Sequence, residues 1–135
     1  MRHPAPILAV SLVALLAAAP VAARRETAPL SDTARAALKD YEPVGTTSCI
    51  PLRSVESTRI VDPSAIIYKV SSRKLYVNQP DDGRCTALRK ERALVTRTMT
   101  GNLCRMDIVR VIDPPTPIEY GSCILGDFTE YRRRN

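Results

Sequence analysis

Ser57-Thr-Arg-Ile-Val-Asp-Pro-Ser-Ala-Ile-Ile-Tyr-Lys-Val-Ser-Ser-Arg-Lys-Leu-Tyr-Val-Asn78 is the stretch that decides the fold. Its β-branched and aromatic residues recur with a period of two, and short polar breaks divide it, so it predicts strands at 57–61, 65–70 and 74–78. Asp62-Pro63-Ser64 is the first turn. Ser71-Ser72-Arg73 closes a hairpin. Ile66, Tyr68 and Val70 alternate with Ile67 and Lys69, the pattern of a strand with one face on a core and one toward water.

Downstream, Gln79-Pro80-Asp81-Asp82-Gly83 is a strong turn, because proline presets one dihedral and glycine accepts a positive φ. Further strands are expected at 93–99, 106–112 and 122–125. Thr100-Gly101-Asn102 reverses the chain between the first two, and Asp113-Pro114-Pro115-Thr116-Pro117 makes a stiff loop before the last. Apolar residues on both faces of 106–112 point to a central position. The expected fold is mainly β: a single small antiparallel sheet, or a partly closed barrel, of about six short strands.

Upstream, the period changes. Ser31 and Asp32 are good N-caps, and Ala34, Ala37, Leu38 and Tyr41 follow at helical spacing, so a short amphipathic helix is expected before Pro43 and Gly45. Its face is mostly alanine and buries little area, which favours loose packing or disorder. The expected organisation is an export signal over 1–23, a leader with this helix over 24–47, a disulfide-stapled β domain over 48–131 and a basic, disordered tail over 132–135.

The export reading rests on Arg2 and His3 ahead of an apolar run from Ile7 to Ala19, with Val21-Ala22-Ala23 as small residues for cleavage after Ala23. That run rises about 20 Å as a helix, short of the roughly 30 Å hydrocarbon core, so it is not read as a membrane span. Arg24-Arg25 follows the run instead of preceding it, and no cysteine lies near Ala23. A twin-arginine signal and a lipid anchor are therefore not expected. The mature chain is expected in the periplasm or secreted.

Cleavage removes one of 20 basic residues and none of the 14 acids, leaving nineteen against fourteen, a net +5. It also removes the single histidine. Without one, the mature chain has no Ser-His-Asp or Cys-His nucleophile and no histidine metal ligand. Neither cofactor nor metal is expected.

Four cysteines in a small exported chain are most economically two disulfides. No C-x-x-C spacing marks a redox or zinc site. Three pairings are open. The expected one joins Cys85 to Cys104, across a strand-turn-strand segment, and Cys49 to Cys123, with closed loops worth about 3 and about 4.5 kcal/mol in the chain-entropy model.

The series Cys49-Ile-Pro-Leu, Arg59-Ile-Val-Asp62, Ile66-Ile-Tyr, Tyr76-Val-Asn, Cys85 with Leu88, Gly101-Asn-Leu-Cys-Arg-Met-Asp107 and Cys123-Ile-Leu-Gly-Asp-Phe128 resembles a family of small exported proteobacterial proteins classed as a domain of unknown function. The likeness spans about 49–128. It implies no activity to transfer.

Between Arg84 and Arg110 seven basic residues stand against Glu91 and Asp107, so this segment carries the whole mature excess. With Cys85 and Cys104 bonded, Arg84, Arg89, Lys90, Arg92 and Arg105 form the candidate anion-binding patch, for phosphate, carboxylate or acidic glycans. A solvated basic rim is the plain alternative. No aromatic cluster lies within the segment to stack on bases, so nucleic acid is not an expected partner. Asp62, Asp107, Asp113 and Asp127 at strand ends are the residual candidates for acid and base chemistry, although turn and capping roles explain each equally well. Ser71-Ser72-Arg73-Lys74 matches S-x-x-K by accident, since no companion motif accompanies it. The expected function is a non-catalytic module that binds an anionic envelope component or another exported protein. The alternative is an inhibitor of an exported hydrolase that inserts its rigid 113–120 loop, and a carboxylate hydrolase comes third.

Overall fold

A computed structural model describes residues 27–135, so the expected export signal and its cleavage point after Ala23 lie outside the described residues. The chain is mainly β, and among the described residues its sheets are antiparallel and form no closed barrel. After the α-helix α1 (Asp32–Ala37) come β1 (Tyr41–Thr47), β2 (Cys49–Pro51), β3 (Ser57–Asp62), β4 (Ala65–Lys69) and β5 (Lys74–Asn78). Then follow β6 (Ala93–Thr96), β7 (Asn102–Cys104), β8 (Ile108–Asp113), β9 (Thr116–Ile124) and β10 (Phe128–Arg133). The mainly β class is as expected, but where about six strands in a single sheet or a partly closed barrel were expected, the described residues form ten strands in three sheets: β1-β10-β5-β4-β3, β2-β7 and β6-β8-β9.

The quoted stretch forms the β3-β4-β5 meander, with Thr58 opposite Tyr68 and Tyr68 opposite Tyr76. One expectation about it fails. Ala65, Ile66, Ile67 and Tyr68 are all buried, so β4 is covered on both faces and not on one. Ile60, Ile66, Tyr68, Tyr76 and Phe128 face the larger core, shared with Ile50, Leu88, Leu103, Val109, Val111 and Leu125. Val61, Ala65, Ile67, Leu75 and Val77 face a second, smaller core closed by Ala34 and Leu38 of the helix segment.

The described part of the leader, from residue 27 on, therefore packs onto the domain. Ser31 caps α1 by accepting the Ala34 N–H, and its hydroxyl donates to the Asp62 carboxylate at the β3–β4 turn. The alanine face brings the helix close enough for Ala34 to be fully buried and Leu38 nearly so, where loose packing was expected. Small side chains shorten the helix-to-sheet distance, and the Ser31–Asp62 bond holds the register. Pro43 and Gly45 do not end a helix; they lie in the edge strand β1, which pairs with β10 and bulges between them. Proline and a bulge blunt an exposed edge.

The basic tail is likewise ordered. Arg132 and Arg133 lie in β10, the Arg133 N–H donates to the Arg73 carbonyl, and the Arg134 N–H donates to the Asp40 carbonyl. The half-buried Glu130 carboxylate pairs with Lys74 and Arg132 on the same strand pair.

Both expected disulfides are corrected. Cys49 bonds Cys104, because the short strands β2 and β7 pair with these two residues directly opposite, 4.0 Å apart at Cα. Ile50 and Leu103, neighbours of the two cysteines, are buried in the larger core and drive that pairing. Cys85 bonds Cys123, because the loop after β5 folds back over the free edge of β9. Neither β2 nor β7 was expected as a strand, so the opposition of Cys49 and Cys104 was hidden.

The expected stiff loop at 113–120 is instead the tip of the β8–β9 hairpin. Asp113 pairs with Thr116 across a two-residue Pro114-Pro115 turn, and β9 runs on from Thr116. Pro117 is tolerated because β9 is an edge strand, where a missing N–H leaves no ladder bond unmade.

At the β9–β10 connection, Asn78 is fully buried and acts as a clamp. Its amide N–H donates to the Gly126 carbonyl at 2.8 Å, and its carbonyl accepts the Gly126 N–H at 3.1 Å. A Cβ at Gly126 would lie 2.8 Å from the Gln79 carbonyl oxygen, so only glycine fits there.

Candidate anion-binding loop

The segment from Gly83 to Arg92 carries four of the five basic residues singled out in the sequence, Arg84, Arg89, Lys90 and Arg92, and it is built outward from its anchors. It leaves a left-handed turn in which Asp81, Asp82 and Gly83 have φ of 50°, 58° and 101°. Aspartate and glycine tolerate this region better than other residues. The Asp81 carboxylate accepts the Ile124 N–H at 2.8 Å, which fastens the turn to β9. Next, the Cys85 N–H donates to the Pro63 carbonyl at 2.8 Å while the Cys85 sulfur bonds Cys123. Ala87 and Leu88 then enter the larger core. At the far end the Arg92 N–H donates to the Arg89 carbonyl, closing a tight turn.

Arg92 does not reach solvent as a free charge. Its guanidinium donates to the Ala87 carbonyl at 2.7 Å and stacks 3.7 Å above the Tyr120 ring, a cation–π contact. Arg105 also departs from the expected patch. The Cys85–Cys104 bond that was to draw it toward Arg84 does not exist; Arg105 stands on the turn after β7, with its Nε 4.0 Å from the Asp127 carboxylate. Arg110 pairs with Glu119 on the neighbouring strand. Arg84, Arg89 and Lys90 remain exposed, and none has an ion-pair partner among the described residues. Three unpaired cations thus project from a loop held by a disulfide, a buried leucine and two turns.

The carboxylates considered for catalysis are each taken up locally. Asp62 accepts from Ser31, Ser64 and the Ser64 N–H; burial alone would raise its pKa, but these bonds and that of the Ala65 N–H outweigh it and hold the group below its ordinary value. Asp107 accepts the Cys104 N–H at 2.7 Å, Asp127 faces Arg105, and Asp113 closes the hairpin opposite Thr116. Ser71 and Lys74 of the S-x-x-K match serve a turn: the Ser71 hydroxyl accepts the Arg73 and Lys74 N–H groups, and Lys74 reaches Glu130. Asp81, Cys85 and Cys123 present their ligand atoms within 4.8 Å of one another. Both sulfurs are shared in the disulfide and supply no thiolate, so the cluster is not a metal-binding set.

Tyr120 is the residue that sequence reading missed. It lies 28 positions from Arg92, beyond three prolines, and no local period links the two. No helix among the described residues is long and apolar enough to cross a membrane. No protein-family model, no curated protein and no solved structure matches the chain.

Proposed function

We propose that the chain is an exported, disulfide-stabilised binding module that recognises an anionic envelope component or the acidic surface of another exported protein through its 84–92 loop. The observation that carries this reading is the set of unpaired cations Arg84, Arg89 and Lys90 on a loop anchored at both ends. Exposed charge on a mobile chain loses side-chain and backbone freedom when it binds. On an anchored loop that cost is smaller, and charge-assisted hydrogen bonds to carboxylate, sulfate or phosphate keep more of their worth. The net positive charge of the mature chain adds long-range attraction.

The test compares Arg84→Glu/Arg89→Glu/Lys90→Glu with Lys39→Glu/Arg53→Glu/Arg134→Glu, an equal charge reversal at other exposed positions. On immobilised heparin and on lipopolysaccharide, the loop variant is expected to elute at much lower salt than the control variant. Equal losses in the two variants would leave only a diffuse charge effect and end the proposal.

A second reading has an observation of its own. The β8–β9 hairpin projects Ile118 and Tyr120, 53% and 43% exposed, behind a rigid two-proline turn, a shape suited to insertion into a hydrolase cleft. A panel of exported proteases and glycanases assayed with micromolar protein tests it, and uniform activity removes it.

A further inference from the structure

Helix α1 has six residues and rises about 9 Å, whereas five strands at about 4.8 Å spacing span about 19 Å. The helix therefore covers only part of its face of the sheet. Beside it lies a groove of about 300 Å³, lined by Tyr41, Ser57, Arg59, Ile67, Lys69 and Leu75, with Ala37 forming the helix wall. Register explains the lining: Arg59 is opposite Ile67, while Lys69 is opposite both Ser57 and Leu75, so the two cations stand diagonally on one face. Ile67 and Leu75, buried in the smaller core, are its apolar floor. The Tyr41 hydroxyl donates to the Ser72 carbonyl at 3.0 Å, which fixes the ring as a wall.

The charges on this rim do not balance. Lys69 has a partner, Glu56, at 3.6 Å, with both side chains about half exposed. Arg59 is exposed and has no ion-pair partner among the described residues. An apolar floor under an unpaired guanidinium favours a ligand with one anionic head and a hydrocarbon body, and disfavours strongly hydrated polyanions.

We infer that this groove is a binding site for a small amphipathic carboxylate, with its head on Arg59 and Lys69 and its chain along Ile67 and Leu75. The site lies on the opposite face of the five-stranded sheet from Ala87 and Leu88, and so from the 84–92 loop. It does not depend on the function proposed for that loop.

Octanoate, titrated into the oxidised protein and followed by amide chemical shifts, tests the inference. Saturable shifts are expected at Ser57, Arg59, Ile67, Lys69 and Leu75, with acetate and 1-octanol each binding at least about tenfold more weakly, as expected when a charge-assisted bond or the apolar contact is missing. Arg59→Gln and Lys69→Gln should each weaken octanoate about tenfold, and Ala37→Leu, which fills the groove, should abolish the shifts. The Arg84→Glu/Arg89→Glu/Lys90→Glu variant should bind octanoate as the parent does. Shifts confined to 84–92, octanol binding as tightly as octanoate, or undiminished affinity in a folded Arg59→Gln protein would each overturn the assignment.

Discussion

The two faces of the five-stranded sheet are covered by different means. One face carries the larger core, where the β6-β8-β9 sheet, the β2-β7 pair and the 84–92 loop converge; the Cys85–Cys123 disulfide lies within it, and Cys49–Cys104 flanks it beside the buried Ile50 and Leu103. The other face is closed by one short helix, held by a serine cap and a carboxylate. Crosslinks fix the first face, and local hydrogen bonds with small side chains hold the second. The contrast locates the two candidate sites: an anchored cationic loop over the stapled face, and an open groove where the helix runs out.

The stapled face should give the largest effects. Replacing Cys85 and Cys123 by alanine is expected to cost about 4 kcal/mol from the lost loop constraint alone, and more from the space left by two buried sulfurs. The Cys49→Ala/Cys104→Ala pair has a similar loop term, but Cys49 is exposed and leaves little cavity. Urea denaturation of both pairs checks the order, and equal costs would mean that burial of the second crosslink adds nothing.

On the helix face, Leu38→Ala should cost about 2 to 3 kcal/mol, near the low end for core leucines because the surrounding cluster is small. If it costs as much as the Cys85 and Cys123 replacement, the two faces are not held unequally after all.

Ser31→Ala should cost about 1 kcal/mol at neutral pH, since it removes the cap and the bond to Asp62 together. The Asp62 pKa is depressed in the folded state, so its contribution is present above the usual carboxylate value and is lost as pH falls through the folded one. The same sign applies to Glu130: burial would raise its pKa, but hydrogen bonds from Arg132 and Lys74 lower it on balance. The penalty of Ser31→Ala should therefore shrink below about pH 4, the ordinary carboxylate range, and a pH-independent penalty would show that Asp62 does not help to hold the helix.

The smallest expected change is at the centre of the stapled face. Tyr68 is buried edge-on to Phe128, 5.6 Å between ring centres, and its hydroxyl has no hydrogen-bond partner among the described residues. Burial pushes its pKa well above the ordinary tyrosine value. Tyr68→Phe removes an unsatisfied polar group and should be neutral or stabilising by up to about 1 kcal/mol. A clear loss of stability in thermal unfolding would mean that the hydroxyl is satisfied after all.

The legible parts of the sequence were those with a local signature. The strands at 57–61, 65–70 and 74–78 were expected within a residue of where they lie, because turn residues bracket their alternating patterns. Ser31 was read as a cap and acts as one. Less was legible where the signal was weak or misleading. Strands β2 and β7 have three residues each, too few to show a period. Proline and glycine in 41–47, and prolines at 114, 115 and 117, read as breaks although the chain there forms edge strands and a hairpin. At the candidate site, four of the five expected patch residues share one loop because they are near in sequence, while Arg105 depended on a disulfide that is not made.

Local chemistry thus determined the β character of the chain, the capped helix, the sharp turn before Cys85 and the presence of four cysteines for two crosslinks. Tertiary structure alone decided which cysteines meet, that β4 is covered on both sides, that Arg92 rests on Tyr120, and that Arg59 and Lys69 overlook an apolar floor. Each of these joins residues brought together by strand pairing or by cores assembled from distant segments. Such meetings are settled by competition among alternative packings, which spacing along the chain does not encode.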